Sequence, residues 1–301
     1  MALPAIQLES LSKRFGTVVA LEDVSFDVQP GEIFGFLGLN GAGKTTTIRI
    51  LLDLVRASRG RALVFGADCR RDGVEVRAKI GYLPGEVGFY GDMTGNDTLD
   101  VLARLNHHRI DAQWRDWLLE RLRLGRADLH RRIREYSTGM KRKLGIVQAF
   151  QSEAPLLILD EPTDGLDPLM QDVVYELIGE VRRRGRTVFM SSHILPEVER
   201  VCDRIALLRR GTLALVSTVE DVRRLAARAV RIDFDADVDA PPSWPPGVDV
   251  IEIAPRVWRV RVVGPLGPLL ARLPPSVHDV DIHEPHLEDV LRRYYDDREP
   301  S

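Results

Sequence analysis

The sequence is poor in cysteine and contains no long apolar run. Among its 301 residues only two are cysteine, Cys69 and Cys202, and their separation matches no metal-binding or redox motif. No apolar run approaches the ~18 residues that a membrane-spanning helix needs, and the N-terminus lacks the pattern of a signal peptide. These absences argue against a disulfide-rich secreted protein. They predict a cytosolic protein in which both thiols are buried or incidental.

The sequence also lacks an excess of charge of either sign. It contains 42 lysine and arginine residues against 45 acidic ones, for a formal net charge of −3 at pH 7. Proteins that bind DNA or RNA carry a basic excess, so we expect no nucleic acid partner. The hydrophobic content of 44% is that of an ordinary globular protein, and the length allows one large domain and a small one.

The most specific pattern lies at residues 38–45, G-L-N-G-A-G-K-T, a complete phosphate loop of the form G-x-x-x-x-G-K-[ST]. The apolar run at 33–37 predicts a buried strand before it, and a helical pattern of apolar residues follows it. That strand–loop–helix context is the one the motif requires. Glycines let successive backbone N–H groups surround a polyphosphate, whereas a glycine-rich turn without a ligand is the alternative.

The phosphate loop predicts a nucleoside triphosphate site with Mg²⁺. Lys44 would reach the β- and γ-phosphates, and the Thr45 hydroxyl would ligate the metal ion. The residues predicted to bind the nucleotide here are Gly38, Asn40, Gly41, Ala42, Gly43, Lys44, Thr45 and Thr46.

A second motif, L-D-E-P-T at residues 159–163, ends an apolar run that is typical of a strand buried on both faces. Ligands bind at the carboxyl ends of parallel strands, so we expect this motif beside the phosphate loop. Asp160 would hold Mg²⁺ or its water, and Glu161 would polarise the attacking water. Two acidic residues at a strand end are otherwise ordinary turn residues, but the phosphate loop favours catalysis.

Strand-like and helix-like segments alternate along the chain, which predicts an α/β fold. Residues 3–28 contain short alternating strands, and further apolar strands are predicted at 80–84, 187–190 and 205–208. Between roughly 86 and 152 the pattern is helical, which predicts an insertion into the sheet.

The C-terminal part has a different residue pattern from the rest of the chain. Apolar residues alternate with arginine at 258–262, which predicts a half-exposed strand, and an apolar stripe at 287–294 predicts a last short helix. We therefore expect a first domain at 1–219 and a small α+β domain at 220–301.

Residues 136–141, Y-S-T-G-M-K, resemble the signature motif of the ATP-binding cassette (ABC) family, whose commonest form is L-S-G-G-Q. Ser137 and Gly139 match this form, whereas Thr138 and Met140 depart from it. Such departures are familiar in the branch of the family that exports drugs and antibiotics.

Three more short matches follow the order of the same family. Residues 165–167 resemble its D-loop, His193 stands at its switch histidine, and Phe15 lies where it places an aromatic ring under adenine. With the two phosphate motifs and the signature, six matches cover residues 5–218. The chain resembles the ATP-binding subunit of an ABC transporter.

This resemblance implies a P-loop NTPase cassette with a mixed sheet core, antiparallel strands at the N-terminus and a helical subdomain. It implies that Phe15 stacks on adenine, with core packing as the alternative. It implies that Ser137 and Gly139 bind the γ-phosphate of the ATP on an opposite subunit, with a simple helix N-cap as the alternative for Ser137. His193 would contact the γ-phosphate and position the water, although a lone histidine is more often structural.

One position departs from the family. A glutamine that senses Mg²⁺ usually follows the strand that resembles residues 80–84. Here that position is Gly85, followed by Glu86. Glu86 is a candidate to take over the metal contact, but its carboxylate brings a charge that the amide lacks, so the contact is not assigned to it.

The function that the resemblance implies is ATP hydrolysis that powers a separately encoded membrane permease. The protein would be a cytoplasmic subunit, peripheral on the inner face of the cell membrane, and would act as a dimer of cassettes, most simply a homodimer. Residues 284–290 resemble the terminal segment of the drug-exporter branch, which favours export. The alternatives are a soluble ABC ATPase of DNA repair or translation, and a P-loop kinase or GTPase.

Other notable residues are predicted to be structural. The helical spacing of Trp114, Trp117, Leu118, Arg121 and Leu122 favours packing of the helical insertion over docking of a partner. The histidines His278, His283 and His286 lack the regular spacing of metal ligands. The pair His107 and His108 is expected to be solvated.

Overall fold

The structure is a computed structural model that describes residues 3–105, 110–225, 227–239, 241 and 243–283. Contacts divide the chain into two compact units between Val216 and Ser217. This division lies three residues before the boundary expected from the sequence. The predicted helix at 287–294, the segment 284–290 and the pair His107 and His108 lie outside the described residues.

The described residues form strands and helices in the following order. The strands are β1 (Ile6–Phe15), β2 (Val18–Val28), β3 (Ile33–Leu37), β4 (Arg59–Val64), β5 (Ala67–Asp68), β6 (Ile80–Leu83), β7 (Leu156–Asp160), β8 (Thr187–Ser192), β9 (Arg204–Arg209), β10 (Thr212–Thr218), β11 (Arg228–Phe234), β12 (Val248–Ala254), β13 (Val257–Val262) and β14 (Val277–His283). The helices are α1 (Lys44–Leu51), α2 (Gly73–Ala78), α3 (Gly95–Leu105), α4 (Ala112–Arg121), α5 (Arg126–His130), α6 (Thr138–Phe150), α7 (Pro168–Arg183), α8 (Leu195–Val201), α9 (Val219–Leu225) and α10 (Gly267–Leu270), with a 3₁₀ turn at Ile133–Glu135.

The central sheet has six strands in the order β10-β9-β3-β8-β7-β6, of which the last five pair in parallel. Every residue of β3, β7 and β8 is buried, because both faces of a parallel sheet are covered. This burial explains why these strands are continuous apolar runs in the sequence. In the register, Leu37 pairs with Ser192 and Asp160 with Ser191, so the carboxyl ends of the three strands lie side by side.

A second sheet of four antiparallel strands, β2-β1-β4-β5, is built mostly from the N-terminal residues. Phe26 of β2 stacks on Phe34 of β3 at 5.3 Å between ring centroids, and Phe189 of β8 lies 6.0 Å from Phe34. These rings belong to a buried cluster that joins the two sheets. The predicted mixed sheet core with antiparallel N-terminal strands is confirmed.

The helical insertion comprises α3 to α6. Trp114 is buried, donates its indole N–H to the Phe150 carbonyl at 3.0 Å, and has the Arg184 guanidinium 3.9 Å from its ring centroid. Leu118 and Leu122 are also fully buried. The packing interpretation is therefore confirmed for these three residues, whereas Trp117 and Arg121 are half-buried.

The second unit contains an antiparallel sheet in the order β12-β13-β11-β14. Residues of β11 and β13 alternate between buried apolar side chains and more exposed, mostly charged ones, and Trp258 lies in the buried cluster. His278 pairs with Asp235 and His283 with Asp281, while His286 lies outside the described residues.

The structure also bears on the two cysteines and on the absence of a membrane-spanning run in the sequence. Cys69 and Cys202 are both buried free thiols, and burial raises the pKa of Cys69 to about 12. Within the described ranges, no helix is both long enough and apolar enough to cross a membrane.

Candidate functional site

The loop after β3 needs glycine at its last position before α1. Gly43 has a φ of 112°, and a Cβ there would lie 2.7 Å from the Ala20 carbonyl oxygen. A side chain would therefore be strained and would clash with backbone. Of the other predicted loop residues, Gly38 and Ala42 are buried, Thr46 is half-buried, and Asn40 and Gly41 are exposed.

Lys44 opens α1 and is almost fully buried, at 5% exposure. Its ammonium donates to the Gly38 carbonyl at 2.5 Å and lies 3.5 Å from Oε1 of Glu161. Burial lowers the pKa of Lys44, and the neighbouring carboxylates of Glu161 and Asp160 raise it. A cation is thus held between the loop and the end of β7.

Thr45 and Asp160 bring two oxygens together across the site. The Thr45 hydroxyl donates to Oδ2 of Asp160 at 3.3 Å, and Ser191 of β8 donates to Oδ1 at 2.5 Å. Hydroxyl and carboxylate oxygens are the ligands that Mg²⁺ prefers, usually as one or two carboxylates completed by phosphates and water. The Thr45 hydroxyl and the Asp160 carboxylate fit this pattern. No group of three or more His, Cys, Asp or Glu suited to a metal occurs among the described residues.

Glu161 adopts an unusual backbone conformation. Its φ of 49° lies in the left-handed region, which costs a residue other than glycine about 1–3 kcal/mol. Its N–H donates to the Ser191 carbonyl at 3.2 Å and to the Ser191 hydroxyl at 3.1 Å. Its Oε1 lies 3.2 Å from Nδ1 of His193 and also contacts Lys44. The structure therefore brings together five residues predicted from distant motifs.

The predicted signature residues lie at the start of α6. Ser137 is the exposed N-cap of this helix, and its hydroxyl accepts from the Met140 N–H at 3.2 Å. An added Cβ on Gly139 would lie 4.0 Å from the Gly165 carbonyl oxygen of the D-loop match. Within the described part of the chain, no hydrogen bond or ion pair joins Ser137 to Lys44, Asp160 or Glu161.

Phe15 lies at the end of β1 and is 48% exposed. The Lys13 ammonium is 4.6 Å from its ring centroid. The core-packing alternative for Phe15 is therefore wrong, since about half of the side chain is open to solvent.

Gly85 lies beside the metal-binding carboxylate that the sequence predicted. A Cβ added to Gly85 would be 3.5 Å from Oδ2 of Asp160, which is ordinary contact distance. Glu86 is exposed, and among the described residues no hydrogen bond or ion pair connects it to Asp160.

Sequence reasoning missed two buried charged residues of the site, Arg142 and Glu197. Glu197 is 6% exposed and accepts hydrogen bonds from Thr163 and, at 2.9 Å, from Ser192. It thereby connects Ser192, which precedes His193, to Thr163, which lies two residues after Glu161. Neither residue belongs to a short motif, and a charged residue on a helix ordinarily predicts a solvated position.

Comparisons with known proteins agree with this geometry. Residues 21–164 match the sequence profile of the ABC transporter family. The chain is 35% identical to an uncharacterised ABC transporter ATP-binding protein of Methanocaldococcus jannaschii, over 76% of this chain and 84% of that one. It is 37% identical to the bacitracin transport ATP-binding protein BcrA of Bacillus licheniformis, over 69% of this chain and 68% of that one.

A solved structure described as the ATP-binding subunit of an ABC transporter is also similar. It superposes with a TM-score of 0.68 at 33% identity, covering 73% of this chain and 92% of its own. The phosphate loop, the acidic strand end and the switch histidine thus meet in a fold that this family shares. The chain belongs to the ABC transporter family, as an ATP-binding subunit that hydrolyses ATP with Mg²⁺.

Proposed function

We propose that this chain powers an exporter of drugs, antibiotics or other small or lipophilic molecules, acting on a separately encoded permease. Its similarity to a relative named for bacitracin transport supports export, as do the Thr138 and Met140 forms of the signature. The permease would hold the protein on the inner face of the membrane. We propose further that residues 1–219 form the ATPase cassette and residues 220–301 an accessory domain.

The observation that carries the proposed mechanism is the contact of Glu161 with both Lys44 and His193. In this arrangement Glu161 orients and deprotonates the attacking water, while His193 contacts the γ-phosphate and keeps the Glu161 carboxylate in place. Lys44 and the N–H groups of the loop bind the β- and γ-phosphates, and Phe15 stacks on adenine. Thr45 and Asp160 would hold Mg²⁺, which neutralises charge on the phosphates.

We propose that two copies of the chain close head-to-tail on two ATP molecules. Ser137 and Gly139 stand at the exposed start of α6, where backbone N–H groups favour an anion. They lie apart from the contacts of Lys44, so the phosphate they suit is that of the ATP on a second copy. The N-cap bond of Ser137 does not compete, because its hydroxyl can still donate.

The proposed docking site for the permease is an apolar cleft next to the turn at Gly85. The cleft has a volume of about 330 Å³, and its walls include Leu54, Tyr82, Val87 and Phe89. Leu54 is 62% exposed, so this wall of the cleft offers an apolar side chain that a partner could cover. A permease bound in this cleft would contact the turn at Pro84 and Gly85, and Gly85 lies beside the Asp160 carboxylate.

The first test is co-purification from detergent-solubilised membranes of the native host. Tagged Glu161→Gln protein with ATP and Mg²⁺ should retain a stoichiometric polytopic membrane protein, and Leu54→Glu in the same background should release it while ATP binding is unchanged. The Glu161→Gln, Lys44→Ala double variant, which should not close on ATP, is the matched control for ATP-dependent assembly.

Recovery of the protein from the soluble fraction without a membrane partner would overturn the exporter proposal. A soluble ABC ATPase of DNA repair or translation would then take its place. Sedimentation of the purified Glu161→Gln chain with ATP tests the homodimer separately, since a monomer under these conditions would favour a pair of different cassettes.

A further inference from the structure

Arg142 is a buried arginine whose guanidinium is surrounded by backbone carbonyl groups. The side chain is 4% exposed and lies on the second turn of α6. In the part of the chain that the structure describes, no carboxylate lies within ion-pair distance of it. The five carbonyl groups that accept its hydrogen bonds are those of Pro84 (2.6 Å), Gly85 (2.9 Å), Asp160 (3.0 Å), Glu161 and Pro162 (3.3 Å).

These five acceptors match the five N–H donors of a guanidinium. The buried charge is costly, and burial lowers the pKa of Arg142, although the nearby carboxylates of Asp164, Asp160 and Glu161 raise it. An apolar side chain would fill the same space without this cost, but it would remove one hydrogen-bond donor from each of the five carbonyl groups. The arginine is therefore suited to fixing the backbone around it.

The carbonyl groups belong to two segments of the site. Asp160, Glu161 and Pro162 are consecutive, so the guanidinium holds the backbone on both sides of the strained Glu161, whose φ is 49°. Pro84 and Gly85 form the turn that lies against the Asp160 carboxylate. The donor comes from a third segment, helix α6, which carries Arg142 and has the signature residue Ser137 as its N-cap.

We propose that Arg142 is a positioning residue for hydrolysis, which holds the Glu161 carboxylate between Lys44 and His193 and ties its position to the signature helix α6. The inference rests on the proposed role of Glu161. Movement of α6 or of the Gly85 turn is transmitted through one planar, rigid group to the backbone of Glu161. A displacement of about 1 Å at such a residue is enough to lower the rate about 100-fold.

The test compares Arg142→Ala, Arg142→Lys and the matched control Arg104→Met, which removes an exposed arginine from the same helical insertion. We expect kcat for ATP to fall about 100-fold in both Arg142 variants, while KM and the affinity for a fluorescent ATP analogue change less than about threefold. Lysine should not rescue the rate, because one ammonium cannot reach five carbonyl groups. Millimolar guanidinium chloride should restore part of kcat to Arg142→Ala, and equal sodium chloride should not.

Wild-type kcat in either folded variant would overturn the proposal, as would a parallel loss of kcat and nucleotide affinity without guanidinium rescue. If Arg142→Ala does not fold, Arg142→Lys decides alone through its kcat at unchanged melting temperature. Glu161→Gln is measured beside them. Activity retained in Glu161→Gln would refute the proposed mechanism itself, whereas an inactive Glu161→Gln with an active Arg142→Ala would refute only the role of Arg142.

Discussion

The two units of the chain use β-sheets in different ways. The first unit contains a parallel sheet whose strands β3, β7 and β8 are buried throughout, and the polar residues of these strands lie at the strand termini, never in the middle. The second unit contains an antiparallel sheet whose two inner strands, β11 and β13, alternate between buried apolar residues and more exposed, mostly charged ones. Chemistry in the first unit is confined to one edge, where loops from three strands meet, whereas the second unit gathers no such cluster among its described residues. Substitutions at that edge should therefore affect ATP hydrolysis, whereas substitutions in the second sheet should affect stability.

The largest effect on hydrolysis should come from Glu161→Gln. The amide keeps the shape of the side chain but cannot accept a proton, so we expect kcat to fall by about 10²–10⁴-fold while ATP still binds. Steady-state ATPase assays with ATP titration measure both quantities. Glu120→Gln, an exposed carboxylate on α4, is the control. A rate near that of the wild type would exclude Glu161 from this role.

A smaller effect is expected from Lys44→Ala. Loss of a charge-assisted contact to phosphate should weaken ATP binding by about 1.5–3 kcal/mol, which is roughly a 10- to 150-fold change in Kd. Isothermal titration calorimetry measures this directly. The comparison variant is Lys79→Ala, whose half-exposed ammonium pairs with Glu75. Equal affinity in both variants would contradict the assignment of the phosphate loop.

Gly85→Gln should produce a change of a few-fold. A Cβ at Gly85 fits, since it meets Asp160 only at 3.5 Å, and we expect the glutamine amide oxygen to reach toward the predicted metal position. We expect half-maximal ATPase activity at a lower Mg²⁺ concentration, as read from a magnesium titration. Glu86→Gln should leave the titration unchanged, because Glu86 is exposed. A shift in Glu86→Gln alone would show that Glu86 replaces the family glutamine.

The smallest effect on hydrolysis should come from Trp258→Ala in the second sheet. Removing this buried ring should destabilise the second unit by about 3–5 kcal/mol in urea unfolding, while ATP affinity stays within twofold. Arg259→Ala, on the exposed face of the same strand, should cost less than about 0.5 kcal/mol. A large loss of ATP affinity in Trp258→Ala would contradict the expectation that substitutions in the second sheet affect stability and not ATP binding.

Much of the fold followed from the pattern of apolar residues. The runs at β3 and β7 are continuous because both faces of the parallel sheet are buried, and the strands predicted at 187–190 and 205–208 lie within β8 and β9. The division of the chain at Val216 was harder to place, because β10 extends across it to Thr218 without a change in composition.

The sequence by itself determined the residues that act within a few positions of one another. The phosphate loop and the pair Asp160 and Glu161 are contiguous, so their chemistry depends on local order and on the strand before them. Only the tertiary structure decided which distant groups meet. The guanidinium of Arg142 reaches a carbonyl group 58 residues away at Pro84, and Glu197 reaches a hydroxyl 34 residues away at Thr163. Every residue has a backbone carbonyl group, so the sequence does not show which of them will accept a hydrogen bond. A residue whose partners are carbonyl groups is therefore recognised only in the folded structure.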